Sequence, residues 1–185
     1  SDFYAGPILR RTQQDMVTIW FATTRDFLVD AVVRAKGERE WRVFKTQLYT
    51  FPVFPKLFVH LILILPTEGK LVPANTLLEY ALGEMGADGF TDFEEFGQIA
   101  RDEGLVYEGF EFPSFYIQKK GRPLNVLYGS CRKPHGTDGG DDDALFHGDV
   151  RLAETATDLA KRPTILCLGG DQIYADDVSD GTFDQ

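Results

Sequence analysis

Two short apolar runs, residues 124–128 and 164–168, each pass directly into glycine and a reactive side chain. The first leads into Gly129-Ser130-Cys131-Arg132 and the second into Gly169-Gly170-Asp171. Between them, residues 149–162 place Leu152, Ala153, Ala156, Leu159 and Ala160 on one face of a predicted helix, which Pro163 ends. A strand, a helix and a strand in that order imply a crossover connection, with the two strands parallel in one sheet. Ligands of open α/β sheets gather outside the carboxyl ends of the strands. Neighbouring strands are about 4.8 Å apart, so Cys131 and Asp171 are expected within roughly 5–10 Å of each other. Tyr174, Asp176 and Asp177 follow closely. A thiolate, a carboxylate and a phenolate at one sheet edge suit a metal ion. Spacing alone leaves two other readings open: Cys131 as a small buried apolar side chain, and Asp171 as a helix cap.

The preceding part of the chain has a different rhythm. Residues 16–23 alternate, with Val17, Ile19 and Phe21 on one face. Residues 27–33, 40–48, 58–65 and 75–82 are further strand candidates, with turns at Lys36-Gly37-Glu38 and Pro66-Thr67-Glu68-Gly69. The run 58–65 is apolar on both faces and is expected in the middle of a sheet. Short strands at this spacing predict an antiparallel β-sandwich, immunoglobulin-like or fibronectin type III-like, over residues 1–118. One helix is expected within or after it. Thr91 would be its N-cap, Glu94 would complete a capping box, and Phe93, Phe96, Ile99 and Ala100 would form its apolar face up to Gly104. The aromatic stretch 107–116 is expected to pack between two modules, with ligand stacking as the alternative.

Charge narrows the function classes. The formal net charge is −10, which disfavours a nucleic-acid partner. Residues 136–185 hold 12 acidic and 3 basic residues. That excess reads as a solvated segment or as a cation site. The loop Asp138-Gly139-Gly140-Asp141-Asp142-Asp143 has a glycine at the third ligand position of the helix–loop–helix calcium pattern and lacks the later glutamate, so a mobile acidic loop is expected there. Two cysteines, Cys131 and Cys167, are too few for a disulfide scaffold, and reduced thiols are expected. Residues 1–11 hold no apolar run, so no signal peptide is expected. The apolar run 57–65 is about half of the roughly 20 residues a membrane-spanning helix needs. A soluble chain with no membrane partner follows as the expectation.

The segment Val126-Leu127-Tyr128-Gly129-Ser130-Cys131-Arg132, together with Gly169-Gly170-Asp171-Gln172-Ile173-Tyr174, resembles the alkaline phosphatase D family of binuclear metallophosphoesterases. Gly6-Pro7-Ile8-Leu9-Arg10 before Val17-Thr18-Ile19-Trp20 resembles the start of the β-sandwich that precedes the catalytic domain in that family. The resemblance implies hydrolysis of a phosphate ester. It implies Cys131 and Tyr174 as ligands of a ferric ion, and Asp171 as a bridge to a second divalent ion, calcium in this family. Arg132 would touch substrate phosphate. Such enzymes also need an Asn-His pair and further histidines. This sequence has only His60, His135 and His147, and none follows an asparagine. The chain is therefore expected to be an amino-terminal fragment. Residues 1–118 would be the accessory sandwich, and residues 119–185 the first strand–helix–strand of an incomplete α/β metallophosphoesterase domain, inactive by itself. The alternative is a β-sandwich interaction module without catalysis.

Overall fold

A computed structural model describes residues 2–67, 69–93, 105–132 and 144–172. The chain divides into two compact units, Ser1–Lys119 and Lys120–Gln185.

The first unit is built of antiparallel β-sheet. One sheet has the order β1-β2-β5-β4, from β1 (Phe3–Gln13), β2 (Met16–Thr23), β4 (Lys45–Phe54) and β5 (Leu57–Leu65). In the second sheet β3 (Asp30–Ala35) lies along one side of β6 (Leu78–Gly86), which also pairs with β7 (Gly89–Asp92) and β8 (Ser114–Phe115). The alternation in β2 sets the core. Val17, Ile19 and Phe21 are fully buried, opposite Ile64, Ile62 and His60 of β5. Val32 and Val33 of β3 and Leu78, Ala81 and Leu82 of β6 complete the same cluster from the other sheet. Each large aliphatic or aromatic side chain so removed from water contributes roughly 1.5–3 kcal/mol. The result is a β-sandwich, and β5 lies inside its sheet as its two-sided apolar character predicts.

Several sequence expectations need correction. No alternation announced β1, which shifts register at three places along β2. The strand expected at 40–48 begins at Lys45 and continues through Pro52 to Phe54, forming a hairpin with β5. Thr91 is not a helix N-cap. It lies in β7 opposite Glu84, and an ideal Cβ on the neighbouring Gly83 would stand 2.1 Å from its carbonyl oxygen. Only glycine permits so close a strand approach. Residues 94–104, which hold the rest of the expected helix, lie outside the described residues, whereas Phe93 packs edge-on against Phe27 at 5.5 Å.

The aromatic stretch 107–116, expected to pack between two modules, contributes rings to the sandwich itself. Phe112, Phe115 and Tyr116 are buried, and the two phenylalanines belong to the sandwich core. A cation holds this segment to the second sheet. Arg34 Nε donates to the buried Glu79 carboxylate at 3.1 Å and Nη2 to Glu111 at 2.6 Å. The guanidinium also lies 4.3 Å from the Trp41 ring centroid and 5.0 Å from that of Phe112. Lys36 adds a second tether, with Nζ donating to the Gly109 carbonyl and lying 3.9 Å from the Phe110 centroid.

The second unit contains β9 (Val126–Gly129), α1 (Ala144–Thr155) and β10 (Ile165–Leu168). The strands are parallel, with Val126 opposite Ile165 and Gly129 opposite Leu168. The helix begins earlier and ends earlier than its apolar periodicity suggests. Thr155 Oγ1 donates back to the Arg151 carbonyl at 2.7 Å, and Asp158 Oδ1 accepts from the Ala160 amide at 3.0 Å. Such side-chain bonds offer the backbone an alternative to helix, so residues 156–162 form turns. The loop 138–143, His135, Tyr174, Asp176 and Asp177 lie outside the described residues.

Candidate functional site

The parallel register of β9 and β10 continues past the last strand residues. Gly169 N donates to Gly129 O at 2.7 Å, Cys131 N to Gly170 O at 3.2 Å, and Arg132 N to Asp171 O at 2.8 Å. This extension carries Cys131 and Asp171 to adjacent positions on one edge. The Cys131 thiol donates to Asp171 Oδ2 across 3.3 Å. Both residues are exposed.

Both also hold left-handed backbone, with φ of 55° at Cys131 and 52° at Asp171. For residues with a Cβ this conformation costs of order 1–3 kcal/mol and needs support from its surroundings. The Gly170 carbonyl supplies part of it. It accepts from the Cys131 amide, from Ser130 Oγ at 3.3 Å and from Gln172 Nε2 at 2.6 Å. Gly170 itself has φ of 120°, a value open only to glycine. Two neighbouring segments, Gly129-Ser130-Cys131 and Gly169-Gly170-Asp171, are thus tied to each other and present their side chains together.

Metal–sulfur and metal–oxygen bonds of about 2.3 and 2.1 Å, at angles between square and tetrahedral, put the two donor atoms about 3.1–3.6 Å apart. The observed 3.3 Å falls within that span. Among the described residues no group of three or more His, Cys, Asp or Glu gathers to hold a metal ion. Tyr174, the third sequence-derived ligand, lies outside the described residues. The backbone amide of Arg132 contributes to the edge through Asp171 O.

His60 is fully buried in the sandwich. Its Nε2 meets Thr23 Oγ1 at 2.7 Å, its Nδ1 meets Thr50 Oγ1 at 3.1 Å, and its ring stacks on Phe21 at 4.7 Å. Burial lowers its pKa, against a smaller opposing pull from Asp26. This is a satisfied core histidine. His147 is exposed on α1. Cys131 and Cys167 are free thiols, both exposed.

Sequence reasoning passed over Tyr128, Ser130 and Gln172. The Tyr128 ring lies so close over Gly169 that an added Cβ there would stand 2.5 Å from the phenolic oxygen. The signal was present in the doubled glycine before Asp171, since the first glycine makes room for a neighbour's ring and the second adopts a positive φ. The chain matches no protein-family model, no curated protein and no solved structure.

Proposed function

We propose that the chain is the amino-terminal part of a metal-dependent phosphoric ester hydrolase of the alkaline phosphatase D type. In this reading the sandwich is an immunoglobulin-like or fibronectin type III-like accessory domain, and β9-α1-β10 begins the α/β catalytic domain. The observation that carries the reading is the Cys131–Asp171 contact of 3.3 Å between two strained turns at the carboxyl ends of parallel strands. Strain of this kind concentrates at functional sites. The strands themselves support incompleteness of the sheet: Leu166 and Leu168 are exposed at 55% and 49%, while parallel sheets ordinarily have both faces covered.

Cys131 and Tyr174 would hold ferric iron, and Asp171 would bridge it to a divalent ion such as calcium. These ions would supply charge neutralisation for the phosphate ester and activation of the attacking oxygen. The residues in hand act by position. The αL residues aim the Cys131 sulfur and an Asp171 oxygen at one point, and Arg132, the residue that would touch substrate phosphate, follows on the same edge.

The test is ferric iron titrated into the purified chain and followed by visible charge-transfer absorption. A band that is lost in Cys131→Ala and weakened in Asp171→Asn is expected, with no phosphodiester hydrolysis by the chain alone. Absence of a band in the unaltered chain, or its survival in the double variant, counts against the assignment.

A second reading, a β-sandwich interaction module, draws on the apolar outer face of the β1-β2-β5-β4 sheet. It does not draw on the 107–116 aromatics, whose Phe112, Phe115 and Tyr116 rings are buried.

A further inference from the structure

The four strands of the β1-β2-β5-β4 sheet contain no Asp or Glu, although the chain has 29 acidic residues in 185. They carry Arg10, Arg11 and Lys45, and Lys56 stands in the β4–β5 turn. One face of this sheet fills the core. The opposite face is also apolar. Strand register sets Ile8, Trp20, Leu61 and Tyr49 in one row across all four strands, with Phe51 and Val59 in the next.

At the end of that face the β4–β5 hairpin carries residues 51–56, all of them exposed. Phe51, Val53 and Phe54 are 55%, 50% and 68% accessible. Consecutive strand residues point to opposite sides, so the apolar tip is uncovered on both. Tyr4 of β1 adjoins it, and together with Phe54, Pro55, Lys56 and Leu57 lines an open cavity of about 550 Å³. A protein groove would cover one side of such a tip. A surrounding medium covers both. Lys56 beside these rings, and Arg10, Arg11 and Lys45 towards the other end of the same acid-free strands, give the sheet a basic and aromatic character that matches the headgroup layer of an anionic bilayer. Among the described residues no helix is long and apolar enough to cross a membrane, and surface docking requires none.

We propose that this sheet face docks on an anionic lipid surface, with Phe51 and Phe54 entering the headgroup layer and the basic residues meeting lipid charge. The inference does not rest on the hydrolase reading.

The experiment is vesicle flotation of the full chain. Vesicles of phosphatidylcholine with about one third phosphatidylserine are expected to carry the chain, and pure phosphatidylcholine to carry much less. Raised salt should release it. The Phe51→Ser, Phe54→Ser double variant should bind at least about tenfold more weakly, and Lys45→Glu with Lys56→Glu should do the same. Quenching of tryptophan emission by brominated phosphatidylserine reads docking in the unaltered chain, so the outcome does not depend on a variant folding. No binding and no quenching with anionic vesicles would overturn the proposal. So would equal binding by the serine variant, which would mark a contact of charge alone. Indifference to vesicles with capture of an acidic aromatic peptide would assign the face to a peptide instead.

Discussion

The Cys131 sulfur and the Asp171 carboxylate meet at 3.3 Å, and both residues reach that point through left-handed backbone. Two αL residues on neighbouring turns, bridged by the Gly170 carbonyl, form a small rigid edge. Extended backbone at either position would aim its side chain elsewhere. The geometry is therefore held by the turns, and substitutions there separate stability from ligand binding.

Asp171→Asn tests that separation. Asparagine visits the αL region as readily as aspartate does. The variant should keep the unfolding free energy within about 0.5 kcal/mol, as exposed substitutions do, while losing most of its affinity for ferric iron. Chemical denaturation and an iron titration on the same preparation check both halves. A large stability loss would show that the carboxylate is structural.

His60 gives a pH dependence. Its folded-state pKa lies below the ordinary value of 6.5 because burial disfavours the imidazolium. The unfolded chain therefore takes up a proton at His60 more readily than the folded chain does. The sandwich should keep full stability from this residue above pH 6.5 and lose it as pH falls below that value. Urea midpoints of the unaltered chain and of His60→Gln, measured at several pH values, should converge towards acid. Parallel pH profiles would assign the acid loss to other groups.

Gly83 should not tolerate a side chain. An alanine Cβ would stand 2.1 Å from Thr91 O and 2.7 Å from the Phe90 ring. Gly83→Ala is expected to cost about 1–3 kcal/mol through displacement of β7. Gly37→Ala is the control, because its Cβ meets nothing within 4 Å, although a φ of 90° adds backbone strain. Thermal unfolding of both variants distinguishes a steric from a purely conformational cost.

The ion pair between Arg34 and Glu79 is nearly dry, with side chains 11% and 3% exposed. Arg34→Met removes the cation and leaves a buried carboxylate, at an expected cost of about 3–5 kcal/mol. Adding Glu79→Gln should restore a good part of this. A double-mutant cycle showing no coupling would mean that Arg34 acts through ring packing against Trp41 and Phe112 alone.

Local patterns made much of this molecule legible. The alternation of residues 16–23 specified β2 and its buried face, because period two on a half-buried strand leaves one solution. The two glycine-terminated apolar runs specified a parallel pair and the meeting of Cys131 with Asp171. Other features depend on contacts distant in sequence. Thr91 carries a helix-cap pattern, yet Gly83 lets β6 approach so closely that Thr91 is drawn into a strand. Residues 107–116 read as aromatics that pack between two modules, yet Arg34 and Glu79 bind their neighbours into the sandwich core. Side-chain period and turn chemistry mark the segments that form strands and the reactive groups that end them. The places of Thr91, the aromatic stretch and the apolar outer face are set by packing. Close backbone approach, cation–ring packing and sheet register each join residues that no local pattern relates.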